Sequence, residues 1–167
     1  MIAKTRAGFT YIAEVVDKAT GAVREREVAK NLMPIEGINH MIATQLKGGP
    51  QINNWYVGVY DNAYTPLPSD TMAMFPAAAG ENVDYVGSSR PLFNSGAVAN
   101  GSVDNVGNVI ELEFSDDTVI HGGFISSSAT KGGTSGVLLS AVRFASPKSV
   151  DSSSVLRITA GFIMSSM

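Results

Sequence analysis

His40 and His121 are the only imidazoles in a chain of 167 residues, and nucleophilic catalysis needs a base within hydrogen-bond reach of a nucleophile and of a third group that orients it. His40 falls in a helical pattern beside Met41, and His121 precedes a Gly pair in a strand pattern. No serine sits in a Gly-x-Ser-x-Gly elbow, so both histidines read as structural or surface residues and the chain is not expected to be an enzyme. With no cysteine, thiolate metal sites are excluded, and two distant histidines do not suggest zinc. Asp116-Asp117 is the best carboxylate pair for a hard cation, although a polar turn between two strands accounts for it better. Asp61, Asp70 and Asp84 lack any spacing that would place them together. No cofactor is expected.

Lys131-Gly132-Gly133-Thr134-Ser135-Gly136 invites a phosphate-loop reading, but there the lysine follows the glycines and opens a helix. Here Lys131 comes first and a strand pattern follows, so the segment reads as a long β-connection. Trp55, Tyr56 and Tyr60 could form a stacking platform for bases or sugars. Alternating aromatics in a strand more often pack a core and an edge.

The formal net charge of −3 comes without clustered Lys and Arg, so direct nucleic-acid binding is not expected. Lys4 and Arg6 precede no apolar stretch of a secretion signal, and no run approaches the ~18 apolar residues of a membrane span. A cytosolic product, neither secreted nor membrane-embedded, is the expectation. With 44% hydrophobic and 16% charged residues, the chain has material for one ordinary core.

The elements that must position these residues are mainly strands. Residues 9–16 and 22–28 read as a hairpin about the turn at 17–21. Arg24, Glu25, Arg26 and Glu27 put charge on both faces of its second strand, which belongs at an edge or in an arm. Residues 1–30 are therefore expected as an N-terminal arm or β-hairpin, and 31–167 as a single β-rich domain. Ile35, Ile38, Ile42 and Leu46 recur at helical spacing between Asn31, a potential cap, and Gly48-Gly49-Pro50, a stop. Gly37 inside that run costs about 1 kcal/mol relative to Ala, which could displace its start. Residues 53–60 read as a strand, 69–75 as a short helix cut off by Pro76, and 83–86 as a brief strand. Beyond Asn94 the chain reads as strands separated by turns, with Asn100-Gly101 as a hairpin signal. Ile110, Leu112 and Phe114 face one side with Glu111 and Glu113 opposite. The last strand, with Leu156, Ile158, Ala160, Phe162 and Met164 on one face, should be central. The expected fold is mainly β, a jelly roll or β-sandwich, with one helix of about four turns and one short helix.

The run from Asn54 to Asn62, with Tyr64-Thr65-Pro66, Asp70-Thr71-Met72-Ala73 and Arg90-Pro91-Leu92-Phe93, is similar to a pattern found in small virion proteins of tailed bacteriophages. The similarity continues in Gly123-Phe124-Ile125, in the Lys131 to Gly136 run and in Ser140-Ala141-Val142-Arg143-Phe144. It implies a capsid decoration or cement protein that binds and bridges major capsid protein subunits, assembled in the host bacterial cytoplasm and placed on the capsid surface of the virion. A homo-oligomer, dimer or trimer, would extend such a network. Arg24 and Arg26 of the hairpin and Lys131 of the Gly-rich loop are the candidate capsid contacts, because both segments combine exposure with adaptable polar groups. A tail or head-to-tail connector protein and a carbohydrate-binding β-sandwich are the alternatives.

Overall fold

Phe9, Tyr11, Ala13 and Val15 alternate along the first strand and are all buried, as a sheet with one face on a core requires. The computed structural model describes residues 5–166; residues 1–4, Lys4 among them, and residue 167 lie outside it. Its elements in chain order are strands β1 (Thr5–Asp17) and β2 (Val23–Lys30), helix α1 (Ile35–Lys47), strand β3 (Tyr56–Tyr60) and helix α2 (Phe75–Ala79). Strands β4 (Glu81–Asn82), β5 (Ser102–Asp104), β6 (Ile110–Glu113), β7 (Thr118–Ser126), β8 (Leu138–Val150) and β9 (Ser154–Ser166) complete the chain.

Two antiparallel sheets form from these strands among the described residues. One runs β2-β1-β9, with β5 and β6 both on the far side of β9; the other runs β4-β3-β7-β8. Val15, Leu112 and Ile158 of the first pack with Val57, Ile125 and Val142 of the second in one core cluster, which makes the fold a β-sandwich. Tyr60, Met72, Phe75 and Phe124 form a smaller cluster with α2. Residues 122–126 of β7 are therefore buried without alternation, the pattern of a strand covered on both faces.

The N-terminal hairpin is built into this sandwich. Its outer strand β2 lies at the sheet edge, where a strand charged on both faces belongs. Its inner strand β1 pairs with β9 from Thr5 opposite Ser166 to Asp17 opposite Ser154. β9 is central, between β1 on one side and β5 and β6 on the other, and its Leu156, Ile158 and Ala160 point into the core. Ile110, Leu112 and Phe114 are buried while Glu111 and Glu113 are exposed. Asn100 and Gly101 have φ of 50° and 72°, the left-handed pair that a two-residue hairpin turn demands.

Several local expectations need correction. Asn31 does not cap α1. Its Oδ1 accepts the Phe9 N–H at 2.7 Å and its Nδ2 donates to the Ser140 hydroxyl at 2.7 Å, so it joins the two sheets, and the helix begins at Ile35 after Pro34. Pro76 opens α2 where it was expected to end a helix, because the first turn leaves its N–H groups unpaired in any case and tolerates a residue without one. The brief strand lies at Glu81–Asn82, and Tyr85 makes only a single bridge to Phe114. Strand β3 starts at Tyr56 and not at residue 53, and the Trp55 carbonyl before it accepts the Phe93 N–H at 2.7 Å. Among the described residues, no helix is long and apolar enough to cross a membrane.

Candidate interaction surface

A stripe of apolar residues on a helix ordinarily faces the core. On α1 it faces outward. The side of α1 laid against β8 is that of Gly37, where a Cβ would stand 2.7 Å from the Leu139 carbonyl oxygen and 2.8 Å from that of Leu138. Only glycine lets helix backbone and strand backbone approach so closely. One oxygen of the neighbouring Glu36 accepts the N–H groups of Leu138 at 2.6 Å and Met72 at 2.8 Å, fixing the first turn of the helix to both segments. Met41, one turn beyond Gly37, packs on the core with Met33. The remaining aliphatic residues are carried round to the surface, and Ile35, Ile38, Ile42 and Leu46 are 53%, 39%, 50% and 77% exposed. Ile38, Ile42 and Leu46 line an open groove of about 560 Å³ with Met33, Ala7 of β1 and Met164 of β9, and no charged side chain lines it.

A second concavity, of about 290 Å³, lies on the other flank of α1. Phe9, Trp55, Phe93 and Phe162 line it together with His40. The His40 imidazole stands edge-on to Trp55, with ring centroids 5.7 Å apart. Its Nε2 lies 3.5 Å from the Thr44 hydroxyl, at the long end of hydrogen-bond range. His121 is half-buried on β7.

The three candidate contact residues do not converge. Arg24 and Arg26 lie on β2 of one sheet, whereas Lys131 lies on the loop joining β7 to β8 of the other. Each cation is engaged within the chain. Arg24 pairs with Asp17, with Asp151 at 3.3 Å and with the Ser153 hydroxyl at 2.9 Å. The Arg24 hydrogen bond, helped by Thr20, holds the Asp17 carboxyl down at about 2, and the Ser153 and Ser154 hydroxyls do the same for Asp151. Arg26 Nε donates to Glu14 at 3.1 Å. Lys131 Nζ donates to the carbonyls of Val83 and Tyr85 and sits 3.7 Å from the centre of the Tyr85 ring; desolvation there lowers its pKa although Asp84 and Glu81 oppose the shift.

Asp61 and Asp84, which sequence spacing does not bring together, line one hollow with Asn82, Asp116 and Asp117. Among the described residues, no group of three or more such side chains is placed to hold a metal ion. The aromatic trio is split as well. Tyr60 is fully buried and its hydroxyl donates to the Val142 carbonyl at 2.9 Å, Tyr56 is half-buried in β3, and of the three Trp55 alone lines the concavity beside His40. Phe9, Phe93 and Phe162 join Trp55 there from distant parts of the chain, and no sequence spacing signals that grouping.

Arg90 is a further residue that spacing does not single out. Its side chain is fully buried and grips both carboxylate oxygens of Glu81, Nε at 2.7 Å and Nη2 at 2.6 Å. The remaining donors reach the carbonyls of Ser128 at 2.9 Å and Gly133 at 3.0 Å, and the Gly132 N–H returns to Glu81 at 3.0 Å. The pair clamps the Gly-rich loop onto the body of the sandwich. No protein-family model matches the chain, and no curated protein does.

Proposed function

We propose that this chain is a non-enzymatic structural protein of a tailed-phage particle, a capsid decoration or cement protein that adheres to the major capsid protein through the outer stripe of α1. The observation that carries the reading is the orientation of that helix: Gly37 is turned to the core and four large aliphatic residues are turned to solvent. A contiguous apolar face without charge costs solubility, and soluble proteins keep such faces for contact with partners. The resemblance of the Asn54 to Asn62 run and its companions to phage virion proteins supplies the class of partner.

Magnitudes then bear on the assembly state. Covering the exposed parts of Ile35, Ile38, Ile42 and Leu46 yields roughly 3–7 kcal/mol at 1.5–3 kcal/mol per fully buried side chain. Lost translational and rotational freedom costs about 4–15 kcal/mol. One stripe on one subunit therefore binds weakly, and a dimer or trimer that engages two or three shell subunits is held far more firmly than a single copy. Shell subunits joined in this way would resist the pressure of packaged DNA by adhesion alone.

The test mixes the purified protein with emptied, expanded phage capsids that lack it, and measures cosedimentation and capsid rupture temperature. Binding and a raised rupture temperature are expected, and the double variant Ile42→Ser/Leu46→Ser should lose both. Its unfolding midpoint should move little, because surface substitutions away from special features stay within about 0.5 kcal/mol each. Reversal of charge at Arg24, Arg26 and Lys131 serves as the parallel test of those three contacts. Capsids that neither bind the protein nor become sturdier would refute the reading; stacked rings or tubes in electron micrographs would move it to the tail.

A further inference from the structure

We infer that the cleft between α1 and the two sheets is a binding site for a neutral saccharide, a sugar ring seated on Trp55 and held by the amides of Gln45, Gln51 and Asn53. This inference does not depend on the capsid reading, because Ile35, Ile42 and Leu46 are not among the residues that line the cleft.

The walls are preformed. Phe9 comes from β1, Phe162 from β9, Trp55 from the residue before β3 and Phe93 from the segment between β4 and β5, yet their rings adjoin: Phe9 lies 5.1 Å from Phe162 and 6.4 Å from Phe93 between centroids. The Phe93 N–H donates to the Trp55 carbonyl at 2.7 Å, so the two strips of backbone are fixed to each other. Phe9 closes the floor, while Trp55, Phe93 and Phe162 are only half-buried and keep ring surface open to the cavity. Small-molecule sites are of this kind, mostly aromatic and apolar with a few convergent polar groups, and about 300 Å³ is the lower end of their range. A cleft of about 290 Å³ suits one or two sugar rings.

The chemistry of the rim selects the ligand. Gln45, Gln51 and Asn53 line the cleft, are exposed, and make no side-chain hydrogen bond to the protein among the described residues. Each offers a carbonyl acceptor and an NH₂ donor, the two functions that a ring of hydroxyl groups requires in alternation. No Lys, Arg, Asp or Glu lines the cavity and His40 is its one ionisable side chain, so it lacks the clustered Lys and Arg that a phosphate-bearing nucleotide would call for. A wholly apolar ligand would leave the hydrogen-bonding groups of the rim unused. A neutral sugar, apolar on its C–H face and hydroxylated at its edge, satisfies both halves of the site.

Trp55 is the only tryptophan in the chain, and its emission reports on this cleft alone. Titration with the methyl glycosides of glucose, galactose, mannose and N-acetylglucosamine should give a saturable change with at least one of them. The double variant Gln51→Ala/Asn53→Ala should weaken that Kd about tenfold or more with an unchanged melting temperature, and calorimetry should find weaker binding for Trp55→Phe. The inference is overturned if none of the four gives a saturable response, or if the double variant binds as the parent does. It is also overturned if indole or p-cresol binds more tightly than every glycoside, which would make the cleft a slot for a partner's aromatic side chain.

Discussion

Arg90 is 1% exposed and Leu46 is 77% exposed, so a cation lies inside this molecule and an aliphatic side chain lies outside it. The two regions answer different demands. Beneath the loop between β7 and β8, charge is buried because Arg90 and Glu81 satisfy each other and the loop carbonyls besides, an arrangement that fixes geometry more than it adds stability. On the outer face of α1, apolar surface is left uncovered because the helix must present Gly37 to β8 to sit there at all. The lesson is that burial here follows from which backbones must approach and which polar groups must be matched, and residue type comes second.

The comparison breaks most readily at the buried pair. Arg90→Leu strands the Glu81 carboxylate in the interior and should cost about 3–5 kcal/mol, read as a lowered denaturant midpoint in urea unfolding. The double variant Arg90→Leu/Glu81→Leu should recover much of that loss, since no buried charge is then left alone. A single variant as stable as the parent would remove the clamp from the account.

A smaller effect is expected at the seat of α1. Alanine is favoured over glycine in a helix by about 1 kcal/mol, but a Cβ at position 37 meets two backbone carbonyls at less than 3.0 Å. Backbone yields less than a side-chain tip, so the clash should win and Gly37→Ala should destabilise by about 1–3 kcal/mol. Hydrogen exchange should locate the loss in α1 and the adjoining end of β8; a stabilised variant would mean that the helix is not held where it lies.

The exposed counterpart of the Arg90 clamp should respond least. Asp17 and Asp151 have folded pKa values of about 2 against an ordinary 3.8. Carboxyls lowered in this way contribute stability above pH 3.8, and lose it as pH falls through about 2. Both are solvent-accessible and screened, so their contribution is small. The difference in urea midpoint between the parent and Arg24→Gln should be largest near neutral pH, shrink below pH 3.8 and vanish near pH 2. A difference that grew on acidification would have the wrong sign.

Much of the strand architecture is legible in the residues because a period of two is a local signal. Ile110 to Phe114, the alternation along β9 and the Asn100-Gly101 turn depend on neighbours only. The candidate surface is half legible. Ile35, Ile38, Ile42 and Leu46 announce a stripe, but nothing in their spacing tells that it faces water, since that depends on Gly37 meeting strand residues a hundred positions away. The aromatic cleft and the hollow shared by Asp61, Asp84, Asp116 and Asp117 depend on equally distant partners. Nothing in the spacing around Arg90 announces that Glu81 and the loop carbonyls surround it.

The sequence by itself determined that the chain is mainly β, a jelly roll or β-sandwich, with one substantial helix, because hydrophobic alternation, turn chemistry and helix stops act over a few residues. Only the tertiary structure decided which way that helix faces, which rings share a cavity and which charges are already partnered. Those outcomes are set by the packing of segments far apart in the chain, and spacing along the backbone carries no measure of that distance.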